Sequence, residues 1–470
     1  MNKPTVVVSC PIDTYSGYGS RSRDFVKALI DLDKYNVQIL AQRWGETRWG
    51  YLKDHNLLEL ATRVISTLNQ QPDIWVQISI PNEFQKIGKY NIGVTAGIET
   101  TVCDPGWVKG ANNMDLLLVS SNHSKETFLR SKFELTDEKT KQIKERIELT
   151  VKMEVLFEGM DLTKFLPSSE KTEVTDTLDS IPESFCFLTT GHWMQGDFGE
   201  DRKNMGYTIK SFLETFKNKK SAPALVMKVH SMTTSILDRD RILDKVDEVR
   251  KTVRGSLPNI YLLHGEVSEK EMNSLYNHPK IKALVSLPKG EGFGRPFLEF
   301  SLTNKPIIAS SWSGQTDFLD KEFVRYVKGD LTQVHASAAV KNVILQESQW
   351  FTPDSIDVAR ALKDVHQNYK QWITKAKRQG HKSRTEFSFE KMVETLDNLL
   401  TQNVPAIPQQ VSLNLPKLTL PKLTKVGDQP KVPTIQLSKF LPHDFSYQSQ
   451  SSISCGGNCP ANRKKKSNWT

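Results

Sequence analysis

The stretch LPKGEGFGRPFLEF, residues 287–300, holds two carboxylates eight positions apart, Glu291 and Glu299, among glycines at 290, 292 and 294. Glycines let backbone N–H groups approach a ligand closely, and the N-terminus of the helix expected over RPFLEF carries a partial positive charge. The segment therefore suits an anion such as a phosphate. Pro296 fits the first turn of that helix, where its missing N–H leaves nothing unsatisfied. A carboxylate beside a phosphate is repelled, so the two acids call for a different ligand. An ionised carboxylate only accepts hydrogen bonds, and a vicinal diol offers it two donors. One acid in the loop and one a turn into the helix would hold two polyols on either side of a diphosphate, which is the layout of a nucleotide sugar. The alternative is a pair of solvated or helix-capping acids with no ligand.

The elements that would position these acids follow an alternating pattern. Short β-branched runs (TVVVS, NVQIL, IWVQIS, NIGVTAG, DLLLVSS) are separated by helix-length segments such as SRSRDFVKALIDL and HSKETFLRS. That is the signature of a parallel sheet wound with helices on both faces. A Ser/Thr/Glu/Asp-rich stretch at 167–184 reads as surface linker, after which the alternation restarts with FCFLTTG, ALVMKVH, NIYLLHG, KALVSLP and PIIASS. The expected class is α/β, with two doubly wound parallel-sheet domains at 1–166 and 167–387. A helical pattern at 388–402 follows the second domain. In open parallel sheets ligands bind beyond the carboxyl ends of the strands, which is where the loop after KALVSLP falls.

Length and composition support two soluble domains: 470 residues, 38% apolar and 25% charged. No uncharged apolar run is long enough to span a membrane, and MNKPTVVVSCP reads as a strand rather than a signal peptide. Five cysteines, an odd number, fit free thiols in a reducing, cytoplasmic setting. The close pair Cys455 and Cys459 lacks the partners that would complete a zinc site. The net charge of +9 is concentrated in residues 403–470, where nine basic residues face two acids for a net +7. That Pro-, Lys- and Ser-rich segment is expected to be a disordered tail, and the high pI says little about the body of the chain.

The block GEGFGRPFLEFSLTNKPIIASSWSGQTDFL resembles the glutamate-x7-glutamate region of retaining GT-B glycosyltransferases, particularly family 4. NIYLLHGEVSEKEMNSLYNHPKIKALVSLPKGEGFG, TTGHWMQGDFGEDRKN, YSGYGSRSRDFVKAL and GIETTVCDPGWVKGANNMDLLLVSSNHSKETF are similar to further segments of that family, in the same order. The resemblance covers about residues 5–402. It implies a GT-B fold with an acceptor domain, a nucleotide-sugar domain and a 388–402 helix crossing back to the first domain. It also implies transfer of a hexosyl or pentosyl group with retention, and no metal or other cofactor. Glu299 would bind the ribose, Glu291 the transferred sugar, and Arg202 and Lys203 the diphosphate. Gly292, Phe293 and Gly294 would form the donor loop, and Gly17 and Gly19 would let the first domain approach the diphosphate.

Where many members carry a histidine facing the sugar, VTAGIETT places Glu99. Two departures count against a dinucleotide fingerprint at YSGYGSRS: Ser22 stands in for the third glycine, and the next strand does not end in an acid. Asp238, Arg239 and Asp240 mimic a metal-binding DxD but read as a solvated helix face, and His123 lies beside a helix cap rather than a catalytic centre. A glycan or lipid-linked glycan is the acceptor the family implies. Hydroxylated bases in DNA are a second acceptor class, suggested by the basic tail and a general likeness to phage-encoded members. A non-catalytic binding or virion-associated protein on the same scaffold is a third reading.

Overall fold

The computed structural model describes residues 3–406 apart from 138, 169, 232 and 233. Beyond residue 406, the basic tail with Cys455 and Cys459 lies outside the described residues. The strands are β1 (Thr5–Cys10), β2 (Asn36–Ala41), β3 (Val64–Ile65), β4 (Ile74–Ile78), β5 (Tyr90–Thr95), β6 (Leu116–Val119), β7 (Phe133–Thr136), β8 (Ile143–Ile147) and β9 (Met153–Val155) in the first half. The second half contributes β10 (Cys186–His192), β11 (Ala224–His230), β12 (Ile260–Leu263), β13 (Ile281–Ser286), β14 (Ile307–Ser310), β15 (Arg325–Val327), β16 (Gly329–Gln333) and β17 (Gln349–Pro353).

Two wholly parallel sheets result, ordered β3-β2-β1-β4-β5-β6-β9 and β12-β11-β10-β13-β14-β15. Each contains the doubly wound order 3-2-1-4-5-6, in which the first and fourth strands of the unit lie side by side and the connections leave them in opposite directions. Burial explains why the sequence pattern was readable: Val6, Val7 and Val8 are each no more than 1% exposed, as strands covered on both faces must be.

The chain passes between the sheets twice, and the two passages pair. Met160 and Ser388 form a parallel bridge, with Met160 N–H donating to Phe387 O and Phe389 N–H to Met160 O. After the second passage the helix Phe389–Asn403, capped by Ser388, buries Phe389, Met392, Leu396 and Leu400 in the core of the first sheet, alongside Phe25 and Leu29.

Three elements depart from the sequence reading. The supposed linker contains the helix Glu173–Asp179, closed by a Thr172–Thr175 capping box and anchored by buried Val174 and Leu178, a one-turn apolar spacing masked by polar neighbours. Two antiparallel hairpins, β7–β8 and β16–β17, were not expected. The second has its own small core around Trp350 and ties the sheets together: Gln349 O accepts from Thr101 N–H at 2.9 Å, and Gln349 N–H donates to Thr101 Oγ1 at 2.9 Å.

Leu396→Ala should lower stability in urea unfolding by roughly 2–5 kcal/mol, the range for a buried leucine. A loss no larger than that of the nearby exposed Glu394→Ala would contradict the placement of this helix in the first core.

Candidate active site

The loop after β13 touches the first domain along its backbone. A Cβ added to Gly290 would overlap the carbonyl oxygen of Glu99, and one added to Gly292 would overlap that of Ala96. Ser121 Oγ donates to Gly292 O at 2.5 Å, while Ser120 Oγ donates to Ala96 O at 2.7 Å and lies 3.3 Å from Gly292 O. Ser313 Oγ accepts from Glu291 N–H at 2.9 Å, fixing the loop from the β14 side. Gly294, at φ 96°, turns the chain into the helix Arg295–Ser301, and buried Phe293 packs on Phe318 with ring centroids 4.9 Å apart.

This contact assembles four ionic side chains from three segments. Lys203 Nζ is ion-paired with Glu291 Oε1. Arg202 Nη1 lies 3.6 Å from Glu291 Oε2 and 3.5 Å from Glu99 Oε1. Glu99 follows β5, the basic pair precedes the helix Met205–Phe216, and Glu291 follows β13. Glu291 is only 7% exposed. Burial opposes the charge on Arg202, but Glu99 and Glu291 outweigh it and raise its pKa. Burial depresses Lys203 below the ordinary lysine value, Glu291 opposing and Arg202 adding to the effect.

Glu299 stands apart from this group. Its carboxylate accepts from Tyr276 OH at 3.0 Å and from Arg295 Nε at 3.1 Å, and burial raises its pKa. Arg295 also reaches Asp24 Oδ2 at 2.5 Å and Glu158 Oε2 at 3.8 Å, so it joins the helix Gly17–Asp31 of the first domain to Glu299. Glu299, Arg295, Gly17, Tyr276, Gly191, His192 and Lys228 are among the residues lining a cavity of about 470 Å³ between the two domains. Gly191 lies against the Lys203 side chain, so Lys203 stands behind this part of the wall, while none of the four cluster residues lines the cavity itself.

The glycines of the first loop divide in role. Gly17, with open space beside it, lines the cavity, whereas Gly19 packs against Thr14, whose carbonyl a Cβ there would overlap. Asp238 is 4% exposed rather than solvated, because its carboxylate accepts from Ser231 and pairs with His264 Nε2 at 3.0 Å, while Arg239 and Asp240 pair at the surface. Among the described residues, no group of three or more His, Cys, Asp or Glu side chains is placed to hold a metal ion.

The cap of the helix Asn122–Arg130 is Ser121, two residues before His123. His123, edge-on to Trp312 at 4.6 Å between centroids, is neutral: burial lowers its pKa to about 4, the Ile98 backbone opposing. Sequence reasoning did not single out Arg295, Asp24, Lys228 or the histidines at the strand ends. Arg295 was the findable one, since it stands four residues before Glu299 on one helix and so on the same face.

No protein-family model matches the sequence, and no curated protein matches it. Solved structures do. A glycosyltransferase from Rickettsia africae superposes with a TM-score of 0.60 at 12% identity, over 87% of this chain and 100% of that one. Sucrose-phosphate synthase from Thermosynechococcus elongatus gives 0.55 at 13% identity, over 85% and 99%. HepE from Anabaena, in complex with UDP-glucose, gives 0.55 at 11% identity, over 85% and 100%. The fold of this chain is GT-B, two Rossmann-like domains facing each other across a cleft.

Two outcomes test this geometry. Gly292→Ala should force the domains apart, seen as a larger radius of gyration in solution scattering with unchanged circular dichroism; an unchanged radius would contradict the contact. The unfolded chain binds a proton at His123 near pH 6.5, whereas the folded chain does so only near 4. Stability present above pH 6.5 is therefore lost as the pH falls toward 4, by on the order of 2 kcal/mol at about pH 4.5. His123→Phe should flatten that part of the stability–pH curve, and an identical slope in the variant would refute the burial argument.

Proposed function

We propose that this chain is a glycosyltransferase that moves a hexosyl or pentosyl group from a nucleotide-sugar donor to a hydroxyl acceptor. The reading extends to a family-4-like enzyme that retains anomeric configuration and needs no metal. The observation that carries it is the meeting of Glu99, Arg202, Lys203 and Glu291 beside the cavity that Glu299 lines.

In this reading Glu299 accepts hydrogen bonds from the ribose hydroxyls, its orientation held by Tyr276 and Arg295. The diphosphate lies toward Arg202 and Lys203, and the sugar toward Glu291. As the sugar–phosphate bond breaks, charge develops on the departing diphosphate. The two cations are positioned to receive it, exchanging part of their contact with Glu291 for the phosphate oxygens. Glu99 holds Arg202 from the opposite domain, so the cation is oriented only when the cleft is closed. Closure also excludes water that would hydrolyse the donor. The acceptor, a carbohydrate or lipid-linked glycan, would enter from the first domain. The structural neighbour HepE was solved with UDP-glucose, which makes a uridine diphosphate sugar the first donor to test.

The test is release of nucleoside diphosphate from a panel of nucleotide sugars, with oligosaccharides and, separately, DNA carrying hydroxymethylated bases as acceptors. Arg202→Ala or Lys203→Ala should lower kcat on the order of 10²–10³-fold, the scale for losing one preorganised charge contact. Glu291→Ala should abolish transfer, Glu299→Ala should act chiefly through donor affinity, and EDTA should change nothing. Absence of turnover and of donor binding across the panel would refute the enzyme reading.

A further inference from the structure

The diphosphate of such a donor meets cations that are already engaged. Arg202 and Lys203 face two carboxylates, Glu99 and Glu291, so that group carries no net charge. On the other wall Arg295 faces three, Asp24, Glu158 and Glu299, with buried Arg21 next to them. Arg48 is paired with Asp54 and Glu266, and Arg23 donates to the carbonyls of Ile12 and Thr14. Two buried phosphates need positive charge that these groups do not supply in full.

The inner wall of the cavity holds another set. Thr190 and His192 at the end of β10 stand in register with Lys228 and His230 at the end of β11, and all four line the cavity. The two imidazoles touch, with ring centroids 4.3 Å apart. His230 Nδ1 is buried without a hydrogen-bond partner, while the Thr190 hydroxyl bonds the Tyr276 hydroxyl. An unmet buried polar atom destabilises the fold, a cost that a ligand making that bond would recover. Lys228 Nζ donates to Gly265 O at 2.7 Å and is in no ion pair among the described residues.

Resting on the donor reading above, we propose that His192, Lys228 and His230 form a phosphate seat for the donor's diphosphate, the imidazole pair taking a proton from solvent as the anion arrives. No covalent bond changes. The proton comes from the buffer and leaves when the nucleotide does.

The surroundings explain why the proton waits for the ligand. His192 is open to the cleft rather than enclosed, and its pKa is lowered by the protein packed around the cleft wall and then by His230, by Lys203 and Arg202 on the loop before the next helix, and by Lys228. His230 is held down to about 4 by burial and by Lys228; Asp238, on the helix Ile236–Lys251, opposes, and His264, after β12, adds to the effect. Burial brings Lys228 down to about 8, with Glu266 opposing. An anion among these groups reverses the sign of the field on both rings, so each pKa rises on binding.

Calorimetry with UDP-glucose, GDP-mannose and ADP-glucose tests this, because a doubly esterified diphosphate does not itself titrate near neutrality. At about pH 6.5, titrations in buffers of different ionisation enthalpy should show net uptake of up to about one proton per bound donor. Affinity should also rise as the pH is lowered from about 8 to about 6. Uptake and pH dependence should both vanish in the His192→Asn/His230→Asn variant, whose amides keep the wall polar and whose thermal midpoint checks folding. Lys228→Met should weaken binding roughly tenfold or more, as for loss of a charge-assisted hydrogen bond. Binding with no proton uptake, or uptake that survives in the asparagine variant, overturns the phosphate seat and leaves the donor reading standing. Failure of all three donors to bind overturns both.

Discussion

Everything in the cleft depends on the backbone of residues 290–292 lying directly against that of residues 96–99. No side chain fits between them, since a methyl group at Gly290 or Gly292 would overlap a carbonyl oxygen of the first domain. That approach sets the position of Glu99 relative to Arg202, and Arg202 relative to Glu291. It also gives Gly292 O its donor, Ser121, from the opposite domain. The β16–β17 hairpin adds a second tie at Thr101, two residues beyond Glu99, so the same short segment is held from two directions.

Charge follows from that packing. Buried ions are stable only when paired, and the cleft pairs them across the domain boundary, Glu99 with Arg202 and Asp24 with Arg295, while the exposed pair of Glu266 and Arg48 bridges the same boundary at its rim. Each pair favours closure and each would be disturbed by a charged ligand. In the proposed function the donor exploits this, because its phosphates compete with carboxylates for the same cations while its hydroxyls offer those carboxylates a replacement. The acids thus serve two states, balancing the cations when the cleft is empty and holding polyols when it is filled.

Much of the fold was legible in the sequence because parallel strands buried on both faces read as apolar runs, as VVV in β1 and ALVM in β11 do. Glu291 and Glu299 stood out because glycines and a proline punctuate the loop between strand and helix. What stayed hidden were features without local periodicity or fixed by distant partners. The helix Glu173–Asp179 has too few apolar residues to announce itself, and although Arg295 stands four residues from Glu299 on one helix, its tie across the cleft runs through Asp24, which lies 271 residues earlier. His192 and His230 are neighbours only because β10 and β11 are paired in register, a fact no single stretch contains.

The most direct measurement is a crystal structure of the chain with an intact nucleotide sugar in the cleft. The ribose hydroxyls should lie on Glu299, the diphosphate between Lys203 and the β10–β11 strand ends, and the sugar ring against Glu291 with the loop at 290–292 still touching residues 96–99. A donor bound with its ribose away from Glu299, or its sugar directed away from Glu291, would contradict that arrangement.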